Sequence, residues 1–246
     1  MKYTKTKFSP CLLLAMLLAL SCYDVARATT TISRISSGHV EIFEAEYEND
    51  GTNAPTVHLG VHTDTGHYEP GDVLLEVGNS AYRSTVGFST DVTGILGSSA
   101  WILPANVYEA LDLGLIEAGV KKVGFPFLTD SVTFTMVAAG GANPGNFALF
   151  SSSASSAIRL SATESDVRTS SFSYAGSHGH YNWGFSAPGI YTFDMKASYT
   201  DSLFGALESA TETYTFNVIP EPSSSTMLLI GLVGWVATRK RALSKG

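Results

Sequence analysis

The sequence TVHLGVH at residues 56–62 alternates apolar and polar side chains, and this pattern decides the fold class. Val57, Leu59 and Val61 fall on one face of such a segment, because successive side chains of a strand point to opposite faces. This alternation with β-branched residues is typical of a half-buried strand, so the chain is predicted to be all-β. The same alternation recurs at residues 131–137, 181–185, 191–197 and 214–218.

Turn signals separate these segments, and one stretch departs from the strand pattern. The sequence APG at residues 187–189 predicts a hairpin, because proline fixes φ in the turn and glycine accepts a positive φ. Residues 104–113 place Val107, Ala110 and Leu111 at helical spacing behind a proline, which predicts one short helix. Many short strands with one helix predict a β-sandwich of antiparallel strands.

The first 28 residues have the three parts of a secretory signal peptide. Three lysines precede an unbroken apolar stretch at residues 11–20, and Ala26 and Ala28 are the small residues that a signal peptidase reads. The apolar stretch is shorter than the about 20 residues that span a bilayer. Cleavage by signal peptidase after Ala28 is therefore predicted, and a lipoprotein processed at Cys22 is the alternative.

The C-terminal segment, residues 220–246, combines a Pro-Glu-Pro tripeptide, an apolar span at about 224–238 and a basic cluster, in that order. A basic cluster after an apolar segment stays in the cytoplasm by the positive-inside rule, so the preceding body faces outward. This pattern predicts a C-terminal transmembrane helix, and the shortness of the apolar run suits a span that is held briefly and then cut. The residues of the tripeptide and the basic cluster are Pro220, Glu221, Pro222, Arg239, Lys240 and Arg241.

These three parts resemble the PEP-CTERM sorting signal of Gram-negative bacteria that make extracellular polysaccharide. The resemblance implies an exosortase-type sorting enzyme as a partner and processing near the Pro-Glu-Pro tripeptide. It also implies a protein that is anchored transiently in the inner membrane and then released to the cell surface or the extracellular matrix. A plain C-terminal membrane anchor is the alternative interpretation.

Residues 29–219 remain as one domain between these ends, and they are enough to bury a sizeable core. Both cysteines of the chain, Cys11 and Cys22, lie in the signal peptide, so the body has no disulfide or thiolate metal site. Of the 22 acidic residues only Asp24 and Glu221 lie outside the body, which carries 20 acidic and 7 basic residues and a net charge of −13. Such a charge repels phosphate backbones and argues against nucleic acid as a partner.

Four segments of the body form a pattern, in order, at residues 38–42 (GHVEI), 101–104 (WILP), 144–147 (PGNF) and 178–191 (HGHYNWGFSAPGIY). In these segments the body resembles the choice-of-anchor M domain of bacterial surface proteins. Glu41 departs from the aspartate of that family's opening motif. Some relatives lie beside ABC importers with substrate-binding proteins, so the resemblance implies a receptor or relay role and no established activity.

Six histidines are the chemically suggestive feature of the body, because neutral imidazole is a ligand for zinc or copper. His178 and His180 share a strand face about 6.6 Å apart, so both can reach one ion. His39 can join this pair if the two strands are neighbours. The predicted metal ligands are therefore His178, His180 and His39, with zinc as the candidate ion. Solvent-exposed or hydrogen-bonded histidines are the alternative.

The other polar residues near these histidines are weaker candidates. His58 and His62 also share a face, but their separation of about 13 Å is too large for one ion unless the strand bulges at Gly60. Asp64 or Glu69 could complete the three-histidine site. Asn182 is expected to continue the face of His178 and His180, with alternate residues of that segment in the core.

A sugar-binding platform and an enzyme are the remaining possibilities. Trp101, Tyr181 and Trp183 are candidate stacking residues for extracellular polysaccharide, although alternation with core positions favours burial of Trp183. The sequence has no G-x-S-x-G, no H-E-x-x-H and no phosphate-binding loop, so an enzyme is not predicted. The sequence predicts an exported surface or matrix protein with a structural or binding role. A surface metal-binding receptor that feeds an importer and a carbohydrate-binding module are the alternatives.

Overall fold

The computed structural model describes residues 32–140, 142–152, 155–164 and 166–220, and all structural statements concern these residues. The predicted signal peptide with Ala26 and Ala28 lies outside them. Pro220 is the last described residue, so the predicted transmembrane helix and the rest of the sorting segment also lie outside. Neither α-helix in the described part is long and apolar enough to span a bilayer.

The described strands form three sheets, of seven, six and five strands. The strands of the seven-stranded sheet, in spatial order, are β1 (Ser33–Ile35), β5 (Val73–Val77), β18 (Glu212–Val218), β16 (Gly189–Asp201), β9 (Val132–Ala139) and β13 (Ser171–Tyr174), with β17 (Gly205–Glu208) also paired to β16. Strand β5 pairs in parallel with β1 and with β18, while the other pairs are antiparallel.

The six-stranded sheet is antiparallel throughout. Its strands in spatial order are β12 (Val167–Thr169), β11 (Ile158–Ala162), β10 (Phe147–Phe150), β15 (Asn182–Phe185), β7 (Ser99–Leu103) and β6 (Tyr82–Ser84).

The five-stranded sheet joins strands from both ends of the body. Its central strand pairs in parallel with one neighbour and antiparallel with the other. The strands in spatial order are β14 (His178–His180), β8 (Ile116–Val123), β2 (Gly38–Glu48), β3 (Thr56–Thr63) and β4 (Gly66–Tyr68).

The all-β prediction is confirmed, and the expected antiparallel pairing holds for most of the described strand pairs, while three pairs are parallel. Parallel neighbours need a crossover of a dozen or more residues. The chain supplies one between Glu48, where β2 ends, and Ile116, where β8 begins. The alternating segments themselves form β3, β9, β15, β16 and β18, as their patterns predict.

The described part contains two α-helices, α1 (Thr90–Leu96) and α2 (Val107–Leu113), so the prediction of one short helix is wrong in number. Helix α2 lies within the predicted stretch and begins after Asn106, whose side chain accepts hydrogen bonds from the next turn. Helix α1 was not predicted because threonine, valine and glycine are weak helix formers. Burial of Val92 and Leu96 in a small apolar cluster with strand β10 stabilises it instead.

One aromatic residue joins the cores of the three sheets. The ring centroid of Phe43, on β2, lies 4.8 Å from that of Trp183 in the six-stranded sheet. It also lies 5.0 Å from Tyr214 and 5.7 Å from Phe134, both in the seven-stranded sheet. These rings are almost completely buried and belong to one continuous hydrophobic core. The three sheets therefore pack on a single core.

Two sequence predictions around residues 182–189 are wrong, because the chain changes sheet there twice. The APG turn does not form a hairpin, since β15 belongs to the six-stranded sheet and β16 to the seven-stranded sheet. Gly189 does adopt the positive φ, at 130°. Asn182 does not continue the face of His178 and His180; it is buried in β15 and accepts a hydrogen bond from the Ala105 amide.

Candidate metal centre

All six histidines of the chain lie on one face of the five-stranded sheet. The other face is the core face, where Val57, Leu59 and Val61 of β3 are buried as their alternation predicts. The histidines are distributed over four of the five strands: His39 on β2, His58 and His62 on β3, His67 on β4, and His178 and His180 on β14.

A bulge in β2 brings two glutamates to this face. Glu41 and Glu44 are three residues apart, so a regular strand would point them to opposite faces. The pairing register with β8 shifts between Glu41 and Phe43, and the register with β3 shifts between Glu41 and Glu44. Ile42 and Phe43 are therefore consecutive buried residues, as a β-bulge allows. Both carboxylates end up among the histidines.

The central row of this face crosses all five strands. The directly paired residues are His180, Gly119, Glu41, His62 and His67, from β14 to β4. Gly119 contributes no side chain, which leaves a gap in the row between Glu41 and His180. This gap lets the side chains of β2 and β14 meet across the intervening strand β8.

His39, His178 and His180 converge over this gap, and we call them the three-histidine cluster. Each offers a ligand atom that lies within 4.8 Å of the others. His39 Nε2 and His178 Nε2 are 3.3 Å apart. The His180 ring centroid lies 4.4 Å from that of His178 and 5.4 Å from that of His39.

Glu41 forms the floor of the cluster. Its Oε1 is 2.7 Å from His178 Nε2 and 3.1 Å from His39 Nε2. The residue is 2% exposed, and its Oε2 is buried with no hydrogen-bond partner among the described residues. Burial raises the pKa of Glu41 to about 7; Lys121 opposes this shift, and Glu44 and Glu117 add to it. The cluster therefore contains a buried carboxyl group with an unused oxygen.

Burial favours the neutral form of two of the three imidazoles, and this is the form that binds metal. Burial lowers the pKa of His178, and the nearby His180 and His39 lower it further. Burial also lowers the pKa of His180, against the opposing effect of Glu117. His180 Nδ1 lies 3.3 Å from the Ala118 carbonyl oxygen, to which it can donate. His180 Nε2 lies 3.3 Å from Glu117 Oε1, so each ring nitrogen has an acceptor oxygen beside it.

The structure brings together the three predicted ligands, although their strands are not adjacent in the sheet as expected. Strands β2 and β14 are not neighbours, since β8 lies between them. Of the two acids considered, Asp64 approaches the cluster, with Oδ1 3.6 Å from His39 Nδ1. Glu69 belongs to neither of the ligand clusters that the described residues form. Whether the three histidines bind a metal stays a prediction.

Sequence reasoning missed Glu41 as a member of the site. Its signal was available, because Glu41 follows His39 by two residues and therefore shares its face in a strand.

The aromatic residues considered for sugar binding do not form an exposed platform. Trp183 is fully buried and cannot stack on a ligand. Trp101 and Tyr181 are partly buried and pack against the core.

No protein-family model matches this chain, and no curated protein sequence is similar to it.

Proposed function

We propose that this chain is an exported bacterial cell-surface or extracellular-matrix protein whose body binds a divalent transition metal, with zinc as the candidate ion. The ligands are the imidazoles of His39, His178 and His180, and Glu41 supplies a fourth. The observation that carries the proposal is the 3.3 Å separation of His39 Nε2 and His178 Nε2 above the buried Glu41 carboxyl group.

The spacing of these atoms suits a tetrahedral ion. Zinc binds imidazole nitrogen at about 2.0–2.1 Å, so two ligand atoms on neighbouring corners of the tetrahedron lie about 3.3–3.4 Å apart. The two Nε2 atoms already have this separation. Glu41 Oε1 lies 2.7 and 3.1 Å from them, and a small rotation of the carboxyl group would bring it to the same spacing. His180 offers a ligand atom within 4.8 Å of those of His39 and His178, so its ring would have to move closer to complete the tetrahedron.

The donor set also indicates the class of ion. Three imidazoles and one carboxylate favour zinc or a neighbouring transition metal over magnesium or calcium, which prefer oxygen ligands. The partial burial of the cluster strengthens each charge interaction within it. A carboxylate ligand would partly neutralise the charge of the ion in this setting.

A cleft of about 500 Å³ reaches the cluster from one side. It is lined mainly by the residues around β1 and the start of β2, together with the β3–β4 turn. His39 and Asp64 belong to its wall. The cleft therefore gives an ion access to the His39 imidazole beside the Asp64 carboxylate, whose Oδ1 lies 3.6 Å from His39 Nδ1.

The proposed location rests on the two ends of the sequence. The signal-peptide pattern, with Ala28 as the cleavage residue, supports export, and the tail with Pro220 as its first residue supports exosortase-type sorting. The resemblance to a choice-of-anchor M domain supports the same placement and a receptor role beside an importer. Mass spectrometry of the protein from its host tests this part. A mature chain that begins at Thr29 and ends near Pro220 is expected.

The arrangement of the body supports a surface domain of the β-sandwich type. Three sheets with few helices pack on one core, and the outer face of the five-stranded sheet carries the histidines. We propose this sandwich class as the finer description of the all-β fold. Matrix polysaccharide is proposed as a neighbour of the exported protein, and co-sedimentation with that polysaccharide tests the contact.

The metal site is tested on the full chain, purified without a histidine tag. Metal content is measured by mass spectrometry, and zinc binding by competition with a chromophoric chelator. We expect the His178→Ala variant to lose one equivalent of zinc. His58→Ala is the matched control, because His58 lies on the same face but outside the cluster. A wild-type protein that ignores added zinc, or unchanged binding in His178→Ala, contradicts the proposal.

A further inference from the structure

A second group of ligand residues lies on the same face, beyond the three-histidine cluster. Glu44, His62 and His67 each offer a ligand atom within 4.8 Å of the others, and we call them the Glu44 cluster. They come from three adjacent strands, β2, β3 and β4. The two clusters share no residue, and Glu44 follows Glu41 beyond the bulge in β2.

The distances within the Glu44 cluster bracket the spacing of ligands around one ion. Glu44 Oε2 lies 2.9 Å from His67 Nδ1 and 3.8 Å from His62 Nδ1. Neighbouring ligands of a tetrahedral zinc ion lie about 3.3–3.4 Å apart. Rotation of the two imidazoles, which are 39% and 43% exposed at His62 and His67, suffices to equalise these distances.

A glycine makes room for this cluster. The His67 ring lies over Gly60, and a Cβ at Gly60 would be 2.4 Å from His67 Cε1 and 2.6 Å from Nε2. These distances are far below van der Waals contact, so any larger residue would displace the ring. Gly60 pairs directly with Glu44. The missing side chain therefore lets His67 reach across β3 to the Glu44 carboxylate.

Glu44 is held in position for binding. The residue is 3% exposed, which is unusual for a glutamate unless it is paired. Lys121 Nζ lies 3.1 Å from Oε1, the oxygen that does not face the imidazoles. This ion pair fixes the rotation of the carboxylate and leaves Oε2 for the two histidines. The ammonium group also lowers the net negative charge next to an incoming ion.

We infer that Glu44, His62 and His67 form a second binding site for a divalent transition metal, independent of the three-histidine cluster. Three protein ligands leave one position of a tetrahedral ion open to water, because the imidazole side of the site faces solvent. The fixed positive charge of Lys121 and the smaller ligand set make this the weaker site. The face therefore holds two ions at adjacent positions along β2, of unequal affinity.

The number of ions bound by the full-length protein tests this inference. Zinc binding is titrated by competition with a chromophoric chelator in the wild type, in His67→Ala, in His178→Ala and in the double variant. Circular dichroism confirms that each variant is folded; His67 is exposed, so its replacement leaves the core intact. His58→Ala again serves as the matched control.

We expect two equivalents of zinc in the wild type, one in each single variant, none in the double variant and two in His58→Ala. A single wild-type equivalent that is lost only in His178→Ala overturns the second site and leaves the proposed function standing. A single wild-type equivalent that is lost only in His67→Ala overturns the proposed metal site at the three-histidine cluster and leaves the second site standing. Wild-type stoichiometry in His67→Ala also overturns the second site, and a protein that binds no zinc overturns both.

Discussion

Glu41 on β2 and Gly119 on β8 are direct partners in the sheet, and the Glu41 carboxyl group occupies the space that a side chain at residue 119 would need. An added Cβ at Gly119 would lie 2.1 Å from Glu41 Oε2 and 2.9 Å from Cδ. The absence of a side chain at Gly119 of β8 therefore determines where the acid of the three-histidine cluster lies.

Substitution of Gly119 tests this relationship. We expect Gly119→Ala to displace the Glu41 carboxyl group, which is buried and has little room to move. The strain should lower the free energy of unfolding by about 1–3 kcal/mol. Zinc affinity at the three-histidine cluster should fall about 10-fold or more, because displaced ligands bind poorly. Urea unfolding and chelator competition measure the two effects.

Gly60→Ala is the matched substitution at the Glu44 cluster. The new methyl group would collide with the His67 ring rather than with Glu41. The His67 ring is partly exposed and can swing into solvent, so we expect a smaller loss of stability, about 1 kcal/mol or less. Zinc binding should weaken at the Glu44 cluster alone. Equal weakening of both sites by Gly60→Ala would contradict the assignment of one glycine to each cluster.

Phe43 offers a test of the shared core. Its ring contacts the cores of the other two sheets, so Phe43→Ala leaves a cavity at the junction of all three. We expect the free energy of unfolding to fall by about 3–5 kcal/mol, as for other buried phenylalanines. Thermal or urea unfolding measures this change. Leu111→Ala, on the exposed side of α2, is the control and should change stability little.

The hydrogen bonds of Asp201, which lies away from the metal sites, predict how the free energy of unfolding depends on pH. Its Oδ1 accepts hydrogen bonds from the Phe204 and Leu203 amides, and these bonds lower the pKa of Asp201. Tyr47 donates a hydrogen bond to the other oxygen, Oδ2. Because the folded pKa is below the unfolded one, this stabilisation is present above the unfolded pKa. It is lost as the pH falls through the folded pKa.

The pH prediction is measured by comparing Asp201→Asn with the wild type in urea unfolding. We expect the variant to be the less stable protein at pH 6, where the wild-type carboxylate is charged. The difference should shrink below about pH 4, where the unfolded carboxyl group becomes protonated. A difference that stays constant from pH 6 to pH 3 would show that the charge of Asp201 contributes nothing.

Local pattern was enough to predict several of the strands and which histidines share a strand face. Alternation identifies β3 and places His58 and His62 on its polar face, because the side-chain period of a strand is fixed by geometry. The same rule places His178 and His180 on one face of a strand. It also places Glu41 beside His39, although this inference was missed.

The arrangement of the strands could not be predicted in the same way. The bulge at Ile42 and Phe43 has no glycine or other local signal; it follows from the need to bury both residues while Glu41 and Glu44 stay on the outer face. The turn before Gly189 looks like a hairpin in sequence but changes sheets, because partner choice depends on distant strands. Helix α1 likewise depends on tertiary packing more than on helix propensity.

The separation of the ligands in the sequence determines when the three-histidine cluster can form as the chain is made. His39 and His178 are 139 residues apart, so the three-histidine cluster does not exist until β14, near the end of the body, has joined a sheet whose other strands come much earlier. A chain made only as far as β8 has one of the three imidazoles. An ion held there would therefore tie a strand from late in the sequence to one from its start, and separation of the two strands would require release of the ion.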